Sequence, residues 1–327
     1  MSDVISYPTG WERYRNVVVY PHEWLMPVKT ELWAYESLVK HSPDDPYTQF
    51  LCFPWATLID LLRQGELKRA RRLQACIDSA PPKSRLRRAT FCQHIYAMDL
   101  LPFFKRLGIT DIYWSHKTKS VSVIDGINIH PFPLFPVMSS KRKKHRRNKP
   151  LKERKYLYSF IGSYQPLLYL TPVRNWIFSL KARPDEFILQ REEWHFESDV
   201  YRKQISGLTL DERERIKKQL WEHEYTSVLE DSVFCLCPSG SGPNSIRLWE
   251  APLFGSVPVL LSDSLCLEGI PSMENLVIKI EESISAVRNL PAYLRDLSQD
   301  AEYIEKKQKA LNSIALQNLF CETLTGN

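Results

Sequence analysis

Residues 232–263 read SVFCLCPSGSGPNSIRLWEAPLFGSVPVLLSD. The apolar VFCLC and VPVLLS have strand character, and the segment after Pro243 reads as a helix between them. The loop PSGSGPNS, residues 238–245, joins the first strand to that helix with two glycines and three serines in eight residues. Loops cost conformational entropy, so a connection this small and polar suggests backbone held close to a ligand. A loop that leaves the C-terminal end of a strand and enters a helix is where parallel α/β sheets bind anions, because free N–H groups and the positive helix end suit phosphate oxygens. Arg247, in the first turn, can add a charge-assisted bond to a diphosphate, and Glu250 can accept from ribose hydroxyls. The same spacing fits a plain i,i+3 surface pair with serines capping the helix, and both readings stay open. Neither G-K-[ST] nor G-x-G-x-x-G follows the strand, which disfavours kinases and common dehydrogenases.

Working outward, KYLYSFIGSY (155–164) is a strand ending in a glycine turn, and a helix follows Pro172 through Leu180. EFILQ (186–190) is a strand, residues 211–231 are a charged amphipathic helix, and VIKIE (277–281) is a last strand before C-terminal helices. The first half alternates in the same way. YTQFLCFPW (47–55), RATFCQH (88–94) and TDIYWSH (110–116) read as strands, separated by one or two helices within 56–80 and a helix over 96–108 that ends at Gly108. Alternation in both halves predicts α/β architecture with two parallel-sheet, Rossmann-like domains facing a cleft. The proline-punctuated PFPLFPVMSS and the basic run SSKRKKHRRNKPLKERK (139–155) place the boundary at residues 137–155, giving domains 1–150 and 151–327.

Composition sets the outer bounds. A chain of 327 residues with 43% apolar content is comfortable as two cored domains. The N-terminus has no apolar stretch behind a basic region, so neither a cleaved secretory signal nor a membrane span is expected, and a cytoplasmic protein is. Seven scattered cysteines fit reduced, buried thiols. Cys235 and Cys237 share one strand face, but no second cluster completes a zinc site, so packing is favoured. The basic run accounts for much of a net charge of +6 and reads as a solvated linker, as a tether to anionic lipid, or as a nucleic-acid contact. The last is weakened because no recognisable nucleic-acid module follows. REEWHFESDVY (191–201) gathers acids around Trp194 and His195, and reads equally as donor contact or as packing with solvated carboxylates.

The stretch YTSVLEDSVFCLCPSGSGPNSIRLWEAPLFGSVPVLLSD resembles the signature of exostosin-family glycosyltransferases: FCLCP-x-G, serine before arginine, Arg-x-x-Glu-Ala, then G-x-V-P-V and an acidic residue. FIGSY with Arg174 downstream is similar to the family's F-x-G turn and following arginine. The resemblance covers roughly the second half. Asn244 before Ser245 departs from many relatives, and the N-terminus lacks their signal anchor, so the likeness is to a compact bacterial-type member acting on cell-surface polysaccharide. It implies a GT-B fold with an N-terminal acceptor domain and a C-terminal nucleotide-sugar domain. It further implies transfer of a sugar from a nucleotide-diphosphate donor, a UDP-sugar being favoured, to a glycan or lipid-linked glycan acceptor. Donor-binding residues carried over are Gly162, Arg174, Gly240, Ser241, Ser245, Arg247 and Glu250.

No D-x-D occurs in the chain, so no metal and no further cofactor are expected, and Arg174, Arg247 and helix N–H groups must meet the leaving-group charge. Inversion, the family default, needs a base. His94 and His116 each end a predicted strand and can fill that role, His94 preferred; a structural histidine bonding a loop carbonyl is the alternative for either. Rival readings are a nucleotide-sugar or glycan binding protein without turnover, and a nucleic-acid binder using residues 141–155, although no nucleic acid is expected.

Overall fold

The computed structural model describes residues 4–41, 45–82, 86–141, 148–313 and 316–325. It divides into two α/β units, one of residues 1–135, 198–209 and 320–327, the other of 136–197 and 210–319.

The first unit is built on an eight-stranded sheet. Its strands are β1 (Val4–Ser6), β2 (Glu12–Tyr14), β3 (Val17–Val19), β4 (Thr48–Cys52), β5 (Arg87–Cys92), β6 (Asp111–Trp114), β7 (Val123–Ile124) and β8 (Ile127–Pro131). The order is β1-β2-β3-β4-β5-β6-β8-β7. Strands β3, β4, β5, β6 and β8 pair in parallel, whereas β1, β2 and β7 are antiparallel margins. The parallel centre buries β4 along its whole length and β5 from its second residue on, and two polar residues this encloses are paired, Arg88 Nε donating to Gln49 Oε1 at 2.8 Å. One face carries an aromatic core in which the Phe91 ring lies 5.1 Å from Tyr113, 4.9 Å from Phe132 and 6.2 Å from Phe320.

The second unit carries β9 (Tyr156–Gly162), β10 (Glu186–Gln190), β11 (Ser232–Pro238), β12 (Val257–Leu261) and β13 (Ile278–Lys279). All pair in parallel, in the order β10-β9-β11-β12-β13. From β9 the chain goes to β10 on one side and later to β11 on the other. The order therefore reverses between β9 and β11, and the crevice beyond the C-terminal ends of such a strand pair is where open α/β sheets take ligands.

The division differs from the expected 1–150 and 151–327. The chain crosses at Phe135–Pro136, inside the proline-rich segment, and the basic run is no inter-domain linker. Its flanks are fixed to the second unit: Lys141 pairs with Glu222 at 2.8 Å, Lys149 with Asp231, and Arg154 donates to Ser232 O at 2.6 Å. Residues 142–147 lie outside the described residues. Two later segments return to the first unit because they complete its contacts. Gln204 accepts from Met26 N–H at 2.7 Å, Arg69 donates to Gln204 O and Ile205 O at 2.8 Å, and Phe320 joins the aromatic core.

Candidate functional site

The loop after β11 is folded onto its surroundings by backbone bonds. Ser239 N–H reaches Leu261 O at 3.0 Å, Gly240 N–H reaches Gly242 O at 2.9 Å, and Leu170 N–H reaches Gly240 O at 2.9 Å. Two glycines are required by close approach. A Cβ on Gly240 would stand 2.8 Å from Arg174 Nη2; one on Gly162, at the end of β9, would stand 3.1 Å from Phe160, 3.3 Å from Arg247 Nη2 and 3.5 Å from Arg174 Nη1. Two guanidiniums thus converge on the end of β9, at the strand-order reversal.

Arg174, in the helix Val173–Phe178, is held rigidly. Its Nε donates to Ser239 O at 2.8 Å, Nη1 donates to Ser163 O at 3.1 Å, and its guanidinium lies 4.7 Å from the Tyr169 ring. Burial pulls its pKa down to about 10, and the neighbouring Arg247 charge acts in the same direction, so it stays cationic at neutral pH. Arg247, in the helix Ile246–Glu250, is 9% exposed and stands 4.7 Å from the Phe160 ring. Its Nη2 donates to Ile161 O, while Nε and Nη1 are buried with no acceptor among the described residues. Unmet donors on a buried charged group cost about 1–3 kcal/mol or more, a cost a bound anion would remove.

Gly162, Arg174, Gly240 and Arg247 are therefore brought together. Ser241 is exposed, and Ser245 sits half-buried at the helix start without capping it. That helix has five residues before it tightens into the 3-10 turn Ala251–Phe254, so its dipole is small and the guanidiniums carry the positive field. The surface-pair reading of Arg247 and Glu250 fails, because both are buried. Glu250 is 3% exposed, with Oε1 accepting from Met138 N–H at 2.9 Å and Oε2 from Tyr225 Oη at 2.8 Å. Burial raises its pKa, with those donors and Arg247 working against the rise.

Two further carboxylates brace the same sheet edge. Glu282 accepts from Thr171 Oγ1 at 2.6 Å and from Ser239, and its own N–H donates to Asp263 at 3.1 Å. Neither Glu282 nor Tyr225 is signalled by local spacing; only the fold brings them here. In residues 191–201, Arg191 pairs with Glu224 and lies 4.0 Å over Trp221, and Glu193 pairs with Lys217 at 2.8 Å, so packing and ion pairs account for much of that cluster. Cys235 and Cys237 are buried free thiols, and among the described residues no group of three His, Cys, Asp or Glu could hold a metal ion.

In the first unit His94, expected as the base, lies between Tyr96 and Asp60. Its Nδ1 accepts from Tyr96 N–H at 3.1 Å, which leaves the ring proton on Nε2, facing Asp60 Oδ1 at 3.1 Å. Both nitrogens are engaged within the protein, the arrangement of a structural histidine. Burial, with His94 nearby, lowers the His116 pKa to about 3, which makes it a poor base.

Comparison with known proteins bears on the same residues. The exostosin GT47 domain matches residues 105–269, a stretch that holds Gly162, Arg174, Gly240, Arg247 and Glu250 but not His94. A rice (Oryza sativa subsp. japonica) protein named a probable glucuronosyltransferase is 33% identical over 96 residues, 28% of this chain and 22% of its own length. An exostosin-1 homolog of Caenorhabditis elegans is 31% identical over 138 residues, 42% of this chain and 33% of its own. The aligned parts thus span a third or less of those relatives. Among solved structures, the S. aureus MnaA–UDP co-structure aligns over 81% of this chain and 77% of its own at 10% identity, with a TM-score of 0.40. With a GT47 domain matched across half its length, from β6 past β12, the chain belongs to the exostosin GT47 family.

Proposed function

We propose that the protein is a glycosyltransferase whose second unit binds a nucleotide-diphosphate sugar, with the diphosphate at Arg174 and Arg247. The observation that carries this reading is the buried Arg247 with two unmet donors, beside a second buried guanidinium at the strand-order reversal. A glycosyl transfer builds negative charge on the departing diphosphate, and fixed cations in a water-poor site stabilise it without reorganising. Arg174 is pinned by two carbonyls and Arg247 by one, so their positions are set before the donor arrives. On this reading the transfer depends on no metal and no further cofactor, a UDP-sugar is the donor, and a glycan or lipid-linked glycan on the cell surface is the acceptor. Direct displacement with inversion follows the family pattern. The first unit serves the acceptor and supplies the base. The reading places the reaction in a reducing cytoplasmic compartment, which suits the buried thiols Cys52, Cys92, Cys235 and Cys237, with the basic run as a peripheral membrane contact.

The test is calorimetric binding of UDP, GDP, CMP and dTDP and of their sugars, followed by nucleotide release in the presence of acceptor glycans. Arg247→Ala should weaken nucleoside diphosphate binding about 100-fold, because a charge-assisted contact to phosphate is lost. Unchanged affinity in that variant would remove the site. Binding without nucleotide release from any donor would leave a binding protein in place of a transferase.

A further inference from the structure

Glu250 is expected to hold ribose hydroxyls, yet the structure turns its carboxylate elsewhere. Each oxygen already takes a short hydrogen bond from the protein, Oε1 from the backbone of the turn Val137–Lys141 and Oε2 from Tyr225 on the helix Glu212–Glu230. Three residues earlier, one turn up the same helix face, Arg247 lies buried with Nε and Nη1 unmet. A buried cation without a counter-charge is strongly destabilising, so an empty anion site needs an internal anion.

We propose that Glu250 is that counter-charge, a positioning residue that balances Arg247 while the site is empty and yields this role to the diphosphate when donor binds. The proposal rests on the reading of Arg174 and Arg247 as the diphosphate site. Glu250 and the ligand then compete for one positive field. Neutralising Glu250 should tighten binding of the anion, the reverse of what loss of a ribose contact would do.

The experiment compares wild type with Glu250→Gln, which keeps the shape and can still accept from Met138 N–H while the Tyr225 hydroxyl turns to accept. Binding of inorganic pyrophosphate and of UDP is measured by calorimetry, and melting of the ligand-free proteins by thermal shift. The expected result, with both proteins shown by their melting to be folded, is a gain of about threefold to tenfold in affinity for both ligands by a similar factor. If UDP alone weakens while pyrophosphate does not, Glu250 is a ribose contact and the inference falls. It falls equally if neither affinity moves. Wild type binding neither ligand would overturn the diphosphate reading itself, and the inference with it.

Should Glu250→Gln fail to fold, Tyr225→Phe carries the test. Around the carboxylate stand Tyr225 with His195 beside its ring, Arg247, the Cys235 and Cys237 thiols of β11 near that guanidinium, and the Val137 and Met138 N–H groups. Removing the Tyr225 hydroxyl raises the proton affinity of Glu250. Pyrophosphate affinity, followed from neutral to mildly acid pH, should then begin to rise at a higher pH than in wild type. Superimposable profiles would overturn the proposal.

Discussion

At the scale of single residues, the site depends on two side chains of like charge being kept close together. The Arg247 charge makes Arg174 harder to keep charged, and main-chain carbonyls fix both in place: Ser163 and Ser239 for Arg174, Ile161 for Arg247. Carbonyl dipoles can do this only if the backbone approaches closely, which is why glycine stands at 162 and 240. A methyl group at Gly240 would sit 2.8 Å from Arg174 Nη2, and the arginine cannot swing away without giving up its carbonyls and the Tyr169 ring. Gly240→Ala is therefore expected to fold, with an overpacking cost of about 1–3 kcal/mol, and to bind UDP roughly tenfold more weakly. Calorimetry on the purified variant checks this; an affinity equal to wild type would mean that Arg174 does not touch the ligand. His94 shows the complementary case. A histidine at the end of a strand invites a catalytic reading, but its lone pair is spent on Tyr96 N–H and its proton on Asp60.

At the scale of elements, the helix Glu212–Glu230 supports the site from behind, carrying Tyr225 to Glu250, Glu222 to Lys141, and Glu224 and Trp221 to Arg191. Its start is a capping box: Asp211 accepts from Glu214 N–H at 2.8 Å, and Glu214 accepts from Asp211 N–H at 3.0 Å. Asp211→Ala should lower stability by about 1 kcal/mol, read as a shifted urea midpoint at constant slope. UDP affinity should stay unchanged, because the cap lies about 20 Å along the helix from Tyr225. A midpoint equal to wild type would show that tertiary contacts alone hold this end. Elements of this kind are legible in sequence because their signals are local. The expected 211–231 helix is found over Glu212–Glu230, and EFILQ coincides with β10. The strand–loop–helix of residues 232–254 likewise displays its chemistry in one continuous stretch. The three-residue β1, β2 and β3 are too short for the two-residue alternation of a strand to repeat and announce them. Partners of the site are silent for a different reason. Tyr225 and Met138 lie 25 and 112 residues from Glu250, and Asp60 lies 34 from His94, so only the fold pairs them.

At the scale of the whole molecule, three buried groups of the first unit set how stability varies with pH. Burial alone would raise the pKa of Asp111, but hydrogen bonds from His130 at 2.9 Å, Arg87 at 2.7 Å and Thr110 at 2.7 Å more than reverse it, and its carboxyl lies well below the usual range. Stability from Asp111 is thus present above pH about 4 and is lost as pH falls towards its folded value. Burial holds His116 neutral down to about pH 3, so between there and about 6.5 the unfolded chain binds the extra proton and stability rises with pH. Glu31 has the opposite sign. Burial raises it to about 8, against the Ala56 and Gln93 N–H groups it accepts from at 3.2 Å, so the folded chain holds the extra proton and stability falls from about pH 4.5 to 8. His116 and Glu31 oppose each other between about pH 4.5 and 6.5, leaving a plateau there. Above it Glu31 acts unopposed by His116, at up to about 1.4 kcal/mol per pH unit for each proton by which the two states differ. Melting temperature should therefore be nearly flat from about pH 4.5 to 6.5 and decline towards 8. Glu31→Gln should turn the plateau into a rise governed by His116 and remove most of the decline above it. A variant that keeps the full decline between pH 6.5 and 8 would show that Glu31 is ionised in the folded protein and that other groups govern the alkaline side.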